Sequence, residues 1–243
     1  MSSPKPRVSL CLLTFNERQG CERDVPAIDT EGFHEVFCVD GNSKDGTVEY
    51  MKERGIPVHL QPKRGLSAGY VHAARVATGD AIVVFFPKGT LPLELITTLR
   101  KTLEEGHQLV AASRNMEGGY NEENSGWFRP RKWFVKLLGL TIAVLWKREG
   151  LFLTDILHGV KGFDRQSFLD MNVEEEGHSI DVAMAMRSYK LRHSRFEVPA
   201  VEKPRFYGDT HFGALSGGSH MLGYLLKEIF GRNPGQRVPG VKF

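Results

Sequence analysis

The sequence predicts an α/β protein with a mostly parallel central sheet and helices on both faces. Short apolar runs rich in β-formers recur at Val8–Leu13, Val36–Val39, Ala81–Phe86 and Leu109–Ala112. Stretches of helical character precede all but the first, and turn residues close the runs, as expected of strands buried on both faces. Strand and helix alternating in this way make a layered sheet whose ligands gather at the carboxyl ends of the strands.

Taken in order, Val8–Leu13 is the first strand and Val36–Val39 the second. Ser67–Ala77 carries helical spacing and leads into the strand Ala81–Phe86. Leu93–Glu105 is the next helix, with Pro92 just before it, where a helix start tolerates proline. Leu109–Ala112 is the fourth strand. The second half changes character. Gly118–Arg129 reads as a mobile loop, followed by a basic, aromatic stretch (Trp127, Phe128, Arg129, Arg131, Lys132, Trp133) and an apolar helix, Trp133–Trp146. Ile180–Lys190 and roughly Phe212–Phe230 read as helices, Arg195–Pro199 as a short edge strand, and Asn233–Phe243 as a loosely held tail. The chain is expected to form a single domain over 1–243, with a nucleotide-binding half at 1–113, an acceptor half at 114–212 and a C-terminal helix and tail at 213–243.

Composition narrows the function classes. Of 243 residues, 41% are hydrophobic and 25% charged, which excludes wholesale disorder, a collagen and a multi-span membrane protein. Lys plus Arg is 32 against 29 for Asp plus Glu; a net charge of +3 gives no ground to expect nucleic-acid binding. The three cysteines, Cys11, Cys21 and Cys38, have neither a zinc spacing nor an even disulfide count, and read as reduced thiols in a cytoplasmic protein. The N-terminal stretch has no apolar core of a signal peptide. Trp133–Trp146, interrupted by Lys136, is shorter than the roughly 20 residues of a spanning helix, so only contact with a membrane face stays open.

The strand ends point to Thr14–Glu17, Asp40–Asp45, Pro87–Thr90 and Ser113–Gly119. Asp40 ends a strand rather than opening a helix, so its carboxylate suits a nucleobase N–H or a ribose hydroxyl. Asp45 or Ser43 suits a cap for the next helix. Arg114 either meets a phosphate or is an ordinary surface arginine. No G-x-G-x-x-G follows the first strand and no G-x-x-x-x-G-K-[ST] occurs, which disfavours dinucleotide dehydrogenases and P-loop enzymes.

Three blocks in order, Leu12–Glu17 (LLTFNE), Val39–Thr47 (VDGNSKDGT) and Gly65–Asp80 (GLSAGY…ARVATGD), resemble the family-two inverting glycosyltransferases of the GT-A fold, a nucleotide-diphospho-sugar transferase fold. The resemblance continues through Ser113-Arg114, Thr154-Asp155, Gly162-Phe163 and Arg205–Gly208, and is nearest to the polyprenyl-phosphate sugar synthases. It implies a nucleotide site of Thr14, Asn16, Glu17 and Asp40 for base and ribose, with Arg64, Gly65 and Ser67 in range. It places Arg114 near the donor phosphates or the acceptor, Asp155 facing the acceptor, and Arg205 as an acceptor-phosphate arginine. After Gly208 the family's Ser-Lys is replaced by Asp209-Thr210.

One departure concerns the metal. The family holds Mg²⁺ or Mn²⁺ on an Asp in the loop after the Gly-Asp strand, whereas here that loop reads Pro87-Lys88-Gly89-Thr90 and no carboxylate lies between Asp80 and Glu94. The ion neutralises the leaving diphosphate. Either the Lys88 ammonium, with Arg64 and Arg114, takes over that task without a metal, or transfer is lost and the fold only binds.

Asp155 is a general-base candidate for a hydroxyl acceptor, a positioning residue for an already ionised phosphate, or a helix cap; His158 is a second base candidate. Aromatics with Lys and Arg at both ends of Trp133–Trp146 suit a helix at a membrane interface, with Arg131 and Lys132 drawing a lipid phosphate; an ordinary buried helix is the alternative. The resulting expectation is inverting transfer from a nucleotide-sugar to a polyprenyl phosphate, by a cytoplasmic protein peripheral at the inner membrane face. A glycan hydroxyl acceptor, or a non-catalytic nucleotide- or partner-binding protein, are the alternatives.

Overall fold

The computed structural model describes residues 4–120, 130–175, 180–204, 207 and 214–230, with side chains omitted at 130–132 and 214–220. Trp127, Phe128, Arg129, Arg205 and the 233–243 tail therefore lie outside the described residues.

The alternation predicted for the first half is present. It runs β1 (Val8–Thr14), α1 (Arg18–Asp24), β2 (Glu35–Asp40), α2 (Thr47–Glu53), β3 (Val58–Leu60), α3 (Leu66–Val76), β4 (Ala81–Phe85), α4 (Glu94–Glu104) and β5 (Leu109–Ser113). The second half contributes α5 (Pro130–Trp146), β6 (Lys161–Asp164), α6 (Arg165–Asp170), α7 (Ile180–Lys190), β7 (Arg195–Pro199) and α8 (Ala214–Ile229). The strands form one seven-stranded sheet in the order β3-β2-β1-β4-β6-β5-β7. All neighbouring pairs are parallel except those of β6, which runs antiparallel to both β4 and β5. The edge position read for Arg195–Pro199 is correct: β7 closes one side of the sheet.

Alternate residues of each strand feed two cores, because a strand's side chains point to opposite faces in turn. Val8, Leu10 and Leu12 of β1 join α1, α2 and α4 through Cys21, Met51, Leu95 and Leu99. Cys11 and Leu13 join the other layer, which α3, α5, α6, α7 and α8 build with Tyr70, Ile142, Phe168, Met184 and Leu225. All seven residues of β1, Ser9 and Thr14 included, are buried, as expected of a mostly apolar strand covered on both faces. The three cysteines are free and buried.

The helix beginning near 133 is not apolar-buried throughout. Val135, Leu138, Ile142 and Ala143 pack inward, while Trp133, Leu137, Leu140 and Val144 are more than half exposed. Arg131 and Lys132 fall in its first turn rather than ahead of it, and their side chains are outside the description. Among the described residues no helix is long and apolar enough to cross a membrane.

Candidate functional site

β1 lies between β2 and β4, so the chain leaves β1 toward one side of the sheet and later returns on the other. Crevices open at the carboxyl ends of strands where the order reverses in this way. A cleft of about 760 Å³ opens there, with walls from the ends of β1, β2, β3 and β4 and the start of α3. Of the residues singled out in the sequence, Thr14, Asn16, Glu17, Arg64, Gly65 and Lys88 line it. Lys44 and Lys63 join them, so four basic residues line the cleft, Lys63 with its Nζ 3.2 Å from Glu175.

The floor is held by Asp40. This fully buried carboxylate accepts from Thr14 Oγ1 (2.6 Å), from the Ser43 N–H (2.7 Å) and from Ser43 Oγ (2.7 Å). The Ser43 hydroxyl in turn accepts from the Asn16 N–H (2.8 Å), and Asn16 Oδ1 accepts from the Lys44 N–H (2.8 Å). Asp40 thus sets the shape of two adjoining loops from beneath the cleft. The expectation for it was a ligand group; its geometry is that of a support. Asn16 and Asn42 both take the left-handed backbone that asparagine tolerates in tight turns (φ 52° and 68°).

Asp45 acts at the start of α2, though Gly46 occupies the cap position. Its carboxylate accepts from the Thr47 hydroxyl (2.5 Å), the Arg18 N–H (2.9 Å) and the Thr47 N–H (3.1 Å), and those bonds, the hydroxyl's first, hold its pKa low against the upward pull of burial. Ser43 does not cap, being committed to Asp40 and Asn16. Ser67 is buried in the first turn of α3 and does not line the cleft. Phe15, missed in the sequence, lines the mouth 48% exposed and packs over Gly41, where a Cβ would come within 2.9 Å of its ring. Its position between Thr14 and Asn16 was the available signal.

Lys88 lines the opposite wall, its Nζ 4.9 Å from the Phe86 ring centroid. Its loop is fastened by Asp24, which accepts from the Gly89 N–H (2.7 Å), and by the Lys203 N–H, which donates to Thr90 O (2.7 Å). Burial raises the pKa of Asp24. This loop does not suit a divalent cation: it offers an ammonium where a carboxylate would be needed, and among the described residues no cluster of three or more His, Cys, Asp or Glu could hold a metal.

A second polar centre lies at the end of β5. Arg114 Nε and Nη2 donate to the two oxygens of Asp155 (2.7 and 3.1 Å), and Nη1 donates to Glu202 (2.8 Å). The Arg114 N–H also donates to Asp155 (3.1 Å). Burial alone would raise the Asp155 pKa, but the guanidinium outweighs it and holds the carboxyl below its ordinary value. Arg114 keeps its charge despite burial, because Asp155 and Glu202 flank it. The expected phosphate-facing arginine and acceptor-facing carboxylate are therefore each other's partners, and Arg114 does not line the cleft.

His158 is buried beside them; burial first, then Arg114, push its pKa down to about 4. Its Nδ1 accepts from the Val160 N–H (3.2 Å), so the neutral ring is part of a turn. Glu197, whose pKa burial raises, accepts from the N–H groups of Thr154 (2.7 Å) and Asp155 (3.1 Å). Glu202 and Lys203, neighbours in the chain, tie this centre to the Lys88 loop through Arg114 and Thr90.

Residues 9–167 match the model of the family described as Glycosyl transferase family 2. The chain is 28% identical over 236 residues to glycosyltransferase AglJ of Haloferax volcanii, spanning 93% of this chain and 74% of that protein. It is 31% identical over 121 residues to a dolichol-phosphate mannosyltransferase of Pyrococcus furiosus, 46% of this chain and 34% of that protein. Among solved structures, glucosyl-3-phosphoglycerate synthase of Mycobacterium tuberculosis with uridine diphosphate superposes with a TM-score of 0.69 at 16% identity, over 91% of this chain and 79% of that one. Fold, family match and relatives agree: the chain belongs to glycosyl transferase family 2 and is a glycosyl-transfer enzyme.

Proposed function

We propose that this enzyme takes a sugar from a nucleotide-sugar and passes it, with inversion, to the phosphate of a polyprenyl phosphate at a membrane face, without a divalent cation. The observation that carries this reading is the cleft at the β1–β4 switch point, which Lys88, Arg64 and Lys44 line and where the loop after β4 has no carboxylate. In a single in-line step an acceptor oxygen bonds to the anomeric carbon. The bond from that carbon to the diphosphate breaks, and the diphosphate leaves with the electron pair. Ammonium and guanidinium groups fixed beforehand stabilise that charge as it develops.

Proton balance supports a phosphate acceptor. A hydroxyl needs a base, but the Asp155 carboxylate is fully buried and held by Arg114, and neutral His158 is buried with Nδ1 occupied. A phosphate is already ionised and needs none. The dolichol-phosphate mannosyltransferase relative supports the same acceptor class. The exposed stripe of Trp133, Leu137, Leu140 and Val144 on α5 supports docking at a membrane interface.

Transfer to a polyprenyl phosphate, assayed with and without chelator in the wild type and in Lys88→Ala, tests the mechanism. The wild type is expected to keep its rate with chelator, and Lys88→Ala to lose about 100-fold in kcat, the scale of removing one charge-stabilising group. A wild type silenced by chelator and restored by Mg²⁺ would overturn the metal-free mechanism.

A further inference from the structure

Tyr207 belongs to the Arg205–Gly208 block, which drew attention only for its arginine. Its hydroxyl donates to Glu17 Oε2, across 190 positions of sequence. Glu17 ends the β1 turn, is 3% exposed and lines the cleft. The same hydroxyl occupies the space above Gly20 of α1. A Cβ on Gly20 would fall 2.2 Å from Tyr207 Oη, 2.2 Å from Pro87 O and 2.8 Å from Lys88 Cα. Three segments therefore meet at one glycine: α1, the loop that carries Lys88, and the segment that carries Tyr207.

The approach to Tyr207 is anchored as well. Glu202 holds Arg114 at the end of β5, and the Lys203 N–H holds Thr90 in the loop after β4. Glu202, Lys203 and Tyr207 thus contact the carboxyl ends of β5, β4 and β1 respectively. The anchor at Glu202 is at the Arg114–Asp155 centre, the anchor at Lys203 is on the loop that carries Lys88, and Tyr207 meets Glu17 of the cleft.

We infer that Tyr207 is a positioning residue for the donor: through its bond to Glu17 and its contact beside Gly20 it sets the Glu17 carboxylate for the donor's base or ribose and the Lys88 loop for its diphosphate. This rests on the reading of the cleft as the donor site. Tyrosine suits the task because its ring reaches across the gap while its single hydroxyl supplies a charge-assisted bond to the carboxylate. Removing only the hydroxyl takes one donor from a nearly buried carboxylate and leaves the ring in place.

The test is calorimetric titration of UDP, GDP, ADP and CDP into the wild type and Tyr207→Phe, with steady-state kinetics and melting temperature on the same preparations. Tyr207→Phe is expected to weaken the nucleoside diphosphate that binds best by about ten-fold and to raise the donor KM in proportion, the scale of a hydrogen bond to a charged group. The acceptor KM and melting temperature are expected to stay unchanged, a split that a merely structural role would not give. If the wild type binds a diphosphate and Tyr207→Phe binds it equally well, the inference is overturned and the donor cleft stands. If the wild type binds none of the four, the donor cleft itself is overturned, and this inference with it.

Discussion

Asp155 is fully buried, and both of its oxygens face Arg114. Asp155→Asn keeps the shape and removes the charge, leaving a guanidinium that is only 17% exposed with Glu202 as its remaining acidic partner. Breaking a buried pair from one side costs about 3 kcal/mol or more, so urea unfolding should show a lower midpoint at unchanged slope. A midpoint equal to wild type would mean that the pair contributes nothing.

His158 makes stability depend on pH. Its folded pKa of about 4 lies below the ordinary 6.5. Between those values the unfolded chain binds a proton that the folded ring refuses, so stability is full above about pH 6.5 and falls as pH drops toward 4. The contribution over that window is about 3 kcal/mol. His193 and His72 are shifted down too, so the readout is the difference between the wild-type and His158→Gln profiles. Identical profiles would show that His158 does not titrate as its burial requires. At this scale Thr14, Asn16, Glu17, Arg64, Gly65 and Lys88 were legible, because short contiguous blocks at strand ends carry them. Tyr207 and Asp24 were not, because each acts on a loop far away in sequence.

Helix α5 divides its apolar residues between two solvents. The inward set reaches the core through Val135, Leu138 and Ile142, and the outward set, Trp133, Leu137, Leu140 and Val144, recurs at helical spacing on one face. Lys136 projects beside that face, with its Nζ 5.9 Å from the Trp133 ring centroid. Leu137→Glu with Val144→Glu removes two exposed leucine-class contacts and adds two like charges. Co-sedimentation with anionic vesicles should fall by ten-fold or more while the melting temperature holds. Unchanged sedimentation would remove the membrane role of this helix. Elements with a long apolar signature were visible in the sequence. β3, β6 and α6 were not, having 3, 4 and 6 residues, too few to display a period. β6 is polar at both ends: Lys161 is buried against Asp181 and the His158 carbonyl, and Asp164 caps α6 by accepting from the Ser167 N–H. Nothing in Lys161–Asp164 alone marks it as a strand between β4 and β5.

Across the whole molecule, the sheet order decides where chemistry can occur. β1 at the reversal point brings Thr14, Asn16 and Glu17 beside the ends of β2 and β4, and antiparallel β6 separates them from Arg114 at the end of β5. The class of fold, strands β1, β2, β4 and β5 and the donor-side motifs follow from the sequence by itself, because burial on two faces and tight turns at strand ends impose patterns within a few residues. Only the tertiary structure decided that Asp40 supports rather than lines the cleft, that Arg114 and Asp155 pair with each other, and that Tyr207 meets Glu17. Each of those outcomes includes a hydrogen bond between residues more than 20 positions apart, and such bonds are selected by packing of the whole sheet and its two helical layers rather than by any local pattern.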